Sequence, residues 1–124
     1  MDIQRIRLEV AQALRSFALV EAYPTVDGGV YVKAALQTSA GNAYIASLTF
    51  ANYPSQMPRV VISKPTLPQT PHRYTDGHIC YLHPNMWNPG LHNITFVLAR
   101  TAKWLAKFEV WRDTGRWPGA QIKH

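Results

Sequence analysis

A single cysteine, Cys80, in a chain of 124 residues excludes any intrachain disulfide. That removes the small secreted fold built on a disulfide framework and points to a reducing compartment, which we read as cytoplasmic. No apolar run approaches the ~18 residues a membrane span needs, so no membrane association is expected. The opening Met1-Asp2-Ile3-Gln4-Arg5 carries an acid early and no apolar block after it, so it does not read as a signal peptide. Acidic residues are scarce: 7 Asp and Glu stand against 13 Lys and Arg, giving +6 with histidine neutral. Such a balance favours acidic partners in general. The bases are scattered from Arg5 and Arg7 to Arg116 and Lys123 with no block of like charge. We therefore read a solvated, mildly basic surface in preference to a nucleic-acid-binding one. The chain has no Gly-x-x-x-x-Gly-Lys phosphate loop, no internal repeat and no low-complexity tract. A hydrophobic fraction of 47% with 16% charged residues is a globular composition. At this length it forms one domain, residues 1–124, with a core that needs no covalent staple.

Hydrophobic spacing gives the order of elements. Ile3, Ile6, Val10, Leu14 and Phe17 recur at helical intervals, and Asp2 is placed to cap, so a helix is expected over residues 1–17. Asp27-Gly28-Gly29 marks a turn. Val30, Val32, Ala34 and Leu36 then alternate with Tyr31, Lys33, Ala35 and Gln37, the period of a strand buried on one face. Ser39-Ala40-Gly41-Asn42 turns the chain into a second alternating run through Tyr44, Ala46, Leu48 and Phe50. Val60-Val61-Ile62 makes a third short strand, so an antiparallel meander of three strands follows the helix. Residues 64–92 hold Pro65, Pro68, Pro71, Pro84 and Pro89 and no regular period. Ile79, Tyr81, Trp87 and Leu91 seek burial, so this stretch is expected to be an ordered loop over the sheet, and the site candidate. Asn93 caps a long second helix whose stripe is Ile94, Val97, Thr101, Trp104, Leu105 and Phe108, stopped by Gly115. The tail from Trp117 is too short for another packed helix. The fold class is α+β.

Three chemistries fit the loop. His72, His78, Cys80 and His83 are all able to bind zinc, but His-x5-His-x-Cys-x2-His matches no paired ligand pattern, and no metal is assigned. Cys80 as a small buried hydrophobe is the second reading, with the histidines as hydrogen-bonding loop residues. The third is nucleophilic catalysis: a thiolate attacks an acyl carbon and leaves it readily, so one cysteine can carry an acyl group between partners. A cysteine hydrolase would add a histidine base with an orienting acid, for which His72, His78 and His83 with Asp76 are the candidates.

The motifs favour the third reading. Tyr53-Pro54-Ser55-Gln56-Met57-Pro58, then Gly77-His78-Ile79-Cys80-Tyr81, then Trp87-Asn88-Pro89-Gly90-Leu91 occur in that order between the expected elements. The chain thereby resembles the ubiquitin-conjugating enzymes over about residues 1–112, with Cys80 at the position of the active cysteine. It departs from that pattern at His72, which stands eight residues before Cys80 where the family carries the Asn of His-Pro-Asn. His83-Pro84-Asn85 has the letters of that motif but follows the cysteine, and we read it as a turn. The family's two C-terminal helices are not represented. The ending from Trp104 to Gly119 is similar to compact bacterial conjugating domains of antiphage, CBASS-like operons, some of which act on a cGAS-like nucleotidyltransferase.

The resemblance implies a transferase. Cys80 would form a thioester with the C-terminus of a ubiquitin-like protein or of a cGAS-like nucleotidyltransferase and pass it to an amine. His72 is expected to support the oxyanion or the loop, with backbone amides around His78–Cys80 as helpers. His78, Asp76 and Trp87 would support the loop. Arg5 and Arg7, off the apolar stripe of the first helix, would meet a partner such as a separate activating enzyme, which would use any ATP. No cofactor is required. A binding adaptor of the same fold and a small Cys-His thiol hydrolase remain as alternatives.

Overall fold

The computed structural model describes residues 1–119. Helix α1 spans Ile3–Ala13, and its N-terminus is capped as expected, the Arg5 N–H donating to Asp2 Oδ1 at 3.0 Å. The helix is shorter than its apolar spacing predicts. Leu14 is 49% exposed, and the N–H groups of Ser16 and Phe17 both turn back to the carbonyl of Ala13. The chain thus leaves the helix for a strand, β1 (Leu19–Pro24), which the sequence reading lacked. Only Val20 of that strand is buried, so it has almost no alternating pattern to announce it. Its partner supplies the evidence instead: Leu19–Pro24 pairs antiparallel with β2 (Val30–Gln37), and Tyr23 stacks on Tyr31 across the pair at 5.3 Å.

Strands β3 (Ala43–Thr49) and β4 (Arg59–Lys64) complete an antiparallel sheet in the order β1-β2-β3-β4. The meander therefore has four strands where the sequence predicts three. The expected alternation holds within it: Val30, Val32, Ala34 and Leu36 are buried, as are Tyr44, Ala46, Leu48 and Phe50. Helix α2 (Ile94–Thr114) lays the predicted stripe on this face, and Ile94, Val97, Thr101, Trp104, Leu105 and Phe108 are all buried. Its two ends are also as predicted, with the Phe96 N–H on Asn93 Oδ1 and Gly115 left-handed at φ 77°. No helix among the described residues is long and apolar enough to cross a membrane.

Two buried carboxylates tie the layers together. Glu9 of α1 accepts from Arg5 Nε, from the Tyr53 hydroxyl and, at 2.9 Å, from the N–H of Ile94 at the start of α2. Glu109 near the other end of α2 accepts from Thr38 Oγ1, Asn42 Nδ2 and the Tyr44 hydroxyl. Both are satisfied by several donors, as buried charge requires.

The segment between β4 and α2 is the ordered loop the sequence predicts. The Ile79 N–H donates to Val60 O at 2.8 Å and the Tyr81 hydroxyl to Pro58 O at 2.6 Å, which pins the loop to β4 and to the turn before it. Ile79 is 1% exposed, a burial worth roughly 1.5–3 kcal/mol. Just before it the chain folds on itself: Tyr74 N–H donates to His78 O, and Asp76-Gly77 makes the turn with Gly77 at φ 94°.

Candidate active site around Cys80

Cys80 follows that turn directly, so the hairpin-like excursion from His72 to Cys80 sets where the thiol sits. Its backbone N–H donates to the carbonyl of His72 at 2.8 Å. The same carbonyl accepts from Trp104 Nε1 of α2 at 3.1 Å, which fixes both ends of the excursion against the long helix. His72 itself is left-handed, φ 56°, a conformation uncommon outside glycine. Cys80 is 4% exposed. Burial pushes the thiol pKa above the usual range, and a hydrogen bond with the Tyr74 hydroxyl pulls it part of the way back.

A cavity of ≈ 60 Å³ opens beside the thiol, between the loop and α2. His72 and Cys80 line it from the loop, Trp104, Arg100, Lys103 and Lys107 from the helix, and Trp117 closes it from the tail. The His72 ring packs on Trp117 at 4.8 Å. Burial, with the positive charge of Lys107, lowers the His72 pKa, so the imidazole is neutral at physiological pH.

The predicted residues thus divide. His72 and Cys80, which the family resemblance paired, line one cavity. His78 and Asp76 do not share it. His78 Nδ1 pairs with Asp76, which also meets Arg59 Nη1 at 3.1 Å, and the His78 ring stacks on Tyr74 at 4.1 Å. His78 is absent from the cavity wall, and its ring packs on Tyr74, whose hydroxyl meets the Cys80 sulfur. Asp76 is held below the usual carboxylate range by hydrogen bonds from the His78 backbone and ring. Trp87 is a packing residue: its Nε1 donates to Pro54 O at 2.8 Å and its ring meets Tyr53 and His92. Asn85 lies in a one-turn 3-10 helix, Pro84–Met86, and its N–H donates to His83 Nδ1. That matches the turn read for His83-Pro84-Asn85.

Two expectations change. The backbone amides offered as oxyanion donors are already committed: His78 N–H to Asp76 Oδ1, Ile79 N–H to Val60 O, and Cys80 N–H to His72 O. The loop needs these bonds for its own shape. The second concerns Arg5. It lies off the apolar stripe, but its head group donates to Pro89 O at 2.7 Å and His92 O at 2.9 Å and pairs with Glu9. Its charge is directed into the fold, which leaves Arg7 as the exposed cation of that pair. Among the described residues no group of three or more His, Cys, Asp or Glu side chains is placed to hold a metal ion.

Sequence reasoning missed Tyr74, Trp117 and the three cations of α2. The cations had a legible signal, since Arg100, Lys103 and Lys107 recur at i, i+3 and i+7, one face of a helix. Tyr74 had only its nearness to Cys80.

Comparison with known proteins bears on the family and the fold. The profile of type II CBASS E2 proteins matches residues 9–124. A solved complex of the Vps23 UEV with ubiquitin contains a chain of similar fold, with a TM-score of 0.58 and 18% identity over 85% of this chain and 84% of that one. At that identity the likeness concerns the fold. No curated protein matches.

Proposed function

The chain belongs to the family of type II CBASS E2 proteins, and on that premise we propose that Cys80 carries an acyl group as a thioester and passes it to an amine in antiphage conjugation. The observation that supports this most directly is the setting of Cys80. The chain's one cysteine stands at the wall of a cavity, held by the loop backbone, with a hydroxyl on its sulfur.

The chemistry has two steps. The Cys80 thiolate attacks the activated C-terminal carbonyl of the donor, an S–C bond forms, and the donor's leaving group departs. An amine, of lysine type, then attacks that carbonyl. The C–N bond forms, the C–S bond breaks, the sulfur leaves as thiolate and the ammonium proton passes to solvent. Tyr74 assists both steps by donating to the sulfur when it bears charge. The donor is a ubiquitin-like protein or the C-terminus of a cGAS-like nucleotidyltransferase, with activation by a separate enzyme. The ubiquitin complex of the structurally similar UEV supports a ubiquitin-like partner.

Burial of the thiol, and the raised pKa that goes with it, favours a second reading as a binding adaptor. The two separate in one experiment: incubation with ATP and the proteins encoded beside this one, then intact-mass measurement. The transfer reading predicts an adduct that dithiothreitol removes. The adaptor reading predicts a non-covalent complex and no adduct, and that result would replace our proposal. Turnover of small thioesters without added amine would indicate a hydrolase.

A further inference from the structure

The cavity beside Cys80 is unusual in its charge. Three cations of α2, Arg100, Lys103 and Lys107, line it together with the thiol, and among the described residues no carboxylate does. None of the three is in an ion pair among the described residues; Arg100 Nε donates to Tyr81 O at 3.0 Å. Lys107 is near enough to depress the His72 pKa. Trp104 and Trp117, with His72 and Tyr81, form the rest of the wall, and these low-dielectric rings strengthen the field of the cations. A lysine ammonium would be repelled here, so the acceptor's own charge does not account for the cluster.

We infer that this cavity is a subsite for an anionic group, a carboxylate or phosphate, carried close to the reacting carbon of the substrate. The inference rests on Cys80 being the loaded residue. The donor tail is the better source of the anion, because it stays bonded to the sulfur for the whole life of the thioester. Its last residues must then lie beside Lys103 and Lys107. An acidic side chain in the final few residues of the donor would pair with them, hold the tail in register and exclude neutral or basic tails.

The charge of the cavity is measurable without any substrate, because Cys80 is the chain's only cysteine. The probes are anionic 2-sulfonatoethyl and cationic 2-(trimethylammonio)ethyl methanethiosulfonate. The rate ratio of anionic to cationic reagent at Cys80 should exceed that of free 2-mercaptoethanol by roughly tenfold at low ionic strength and shrink with salt. The double variant Lys103→Gln, Lys107→Gln should lower it severalfold, while Arg100, which braces Tyr81, stays in place. A ratio equal to that of the free thiol would overturn the inference. The source follows from conjugation assays of the double variant. Slower loading of Cys80 assigns the anion to the donor tail, slower discharge alone assigns it to the acceptor, and no change in either overturns the subsite. If the parent protein never loads, the functional reading fails, and the reagent ratio still decides for or against the anionic subsite.

Discussion

The backbone N–H of Cys80 meets the carbonyl of His72 at 2.8 Å, and that carbonyl also takes the indole N–H of Trp104. One carbonyl thus ties the nucleophile to the long helix. The His72 side chain faces the cavity lined by Cys80, so this residue has a backbone task and a side-chain task that substitutions can separate.

The backbone task depends on the left-handed conformation. Asn tolerates it and a β-branched residue does not. His72→Val should cost roughly 1–2 kcal/mol, which at this size lowers Tm by about 3–6 °C per kcal/mol, and His72→Asn should cost little. The side-chain task shows in aminolysis. Because burial and Lys107 hold its pKa below the ordinary imidazole value, His72 is neutral at physiological pH and above. The ratio of His72→Asn to parent rates should therefore stay flat from about pH 7 to 9. A ratio that changes steadily across that interval would mean that a charged imidazole takes part.

Loading should depend on pH through the thiol. Only the thiolate attacks, and burial raises the Cys80 pKa above its ordinary value, so the loading rate should climb with pH through neutrality without levelling off below the ordinary thiol pKa. Removing the hydrogen bond that favours the thiolate, in Tyr74→Phe, moves the pKa further up. Loading should fall several-fold near neutral pH and recover toward the parent rate at higher pH. A pH-independent loss would make Tyr74 a packing residue only.

Glu9 should be among the most sensitive positions for stability. Glu9→Ala leaves the Arg5 guanidinium, the Tyr53 hydroxyl and the Ile94 N–H without their acceptor, and should cost about 3–5 kcal/mol in urea unfolding. Glu9→Gln keeps an acceptor and should cost about 1–2 kcal/mol. A loss below about 0.5 kcal/mol for the alanine variant would be outside any reading of this network.

Charge reversal on α1 tests partner recruitment. Arg7→Glu should slow Cys80 loading at low salt, with an effect that fades as ionic strength rises, and should leave Tm unchanged. Arg5→Glu should lower Tm, because its head group holds the carbonyls of Pro89 and His92. Equal loading by Arg7→Glu and parent at low salt would remove α1 from the recruiting surface.

The parts of the fold with strict periodicity were legible beforehand. β2, β3 and α2 present their buried faces at the predicted residues, and Asp2, Asn93 and Gly115 cap as predicted. β1 was not legible because an edge strand with one buried residue has no alternation to read, and it exists through its pairing with β2. At the site, Cys80 and His72 were singled out by the family resemblance, and the structure places both on the wall of one cavity. The pairing of His78 with Asp76, away from the cavity, and the role of Tyr74 depend on how five residues turn around Gly77, which spacing does not encode. Trp117 was invisible for a similar reason: it comes from the tail, 37 residues beyond the thiol it covers.

The most direct test of the account is a trap at residue 80. Cys80→Ser is expressed with the proteins encoded beside this one, and the peptide containing residue 80 is examined by mass spectrometry after dithiothreitol treatment. The account predicts an ester on the introduced serine that survives the reductant and is cleaved by hydroxide, an adduct at Cys80 in the parent that the reductant removes, and no conjugate from Cys80→Ala. Conjugates formed at the parent rate by Cys80→Ala would contradict it.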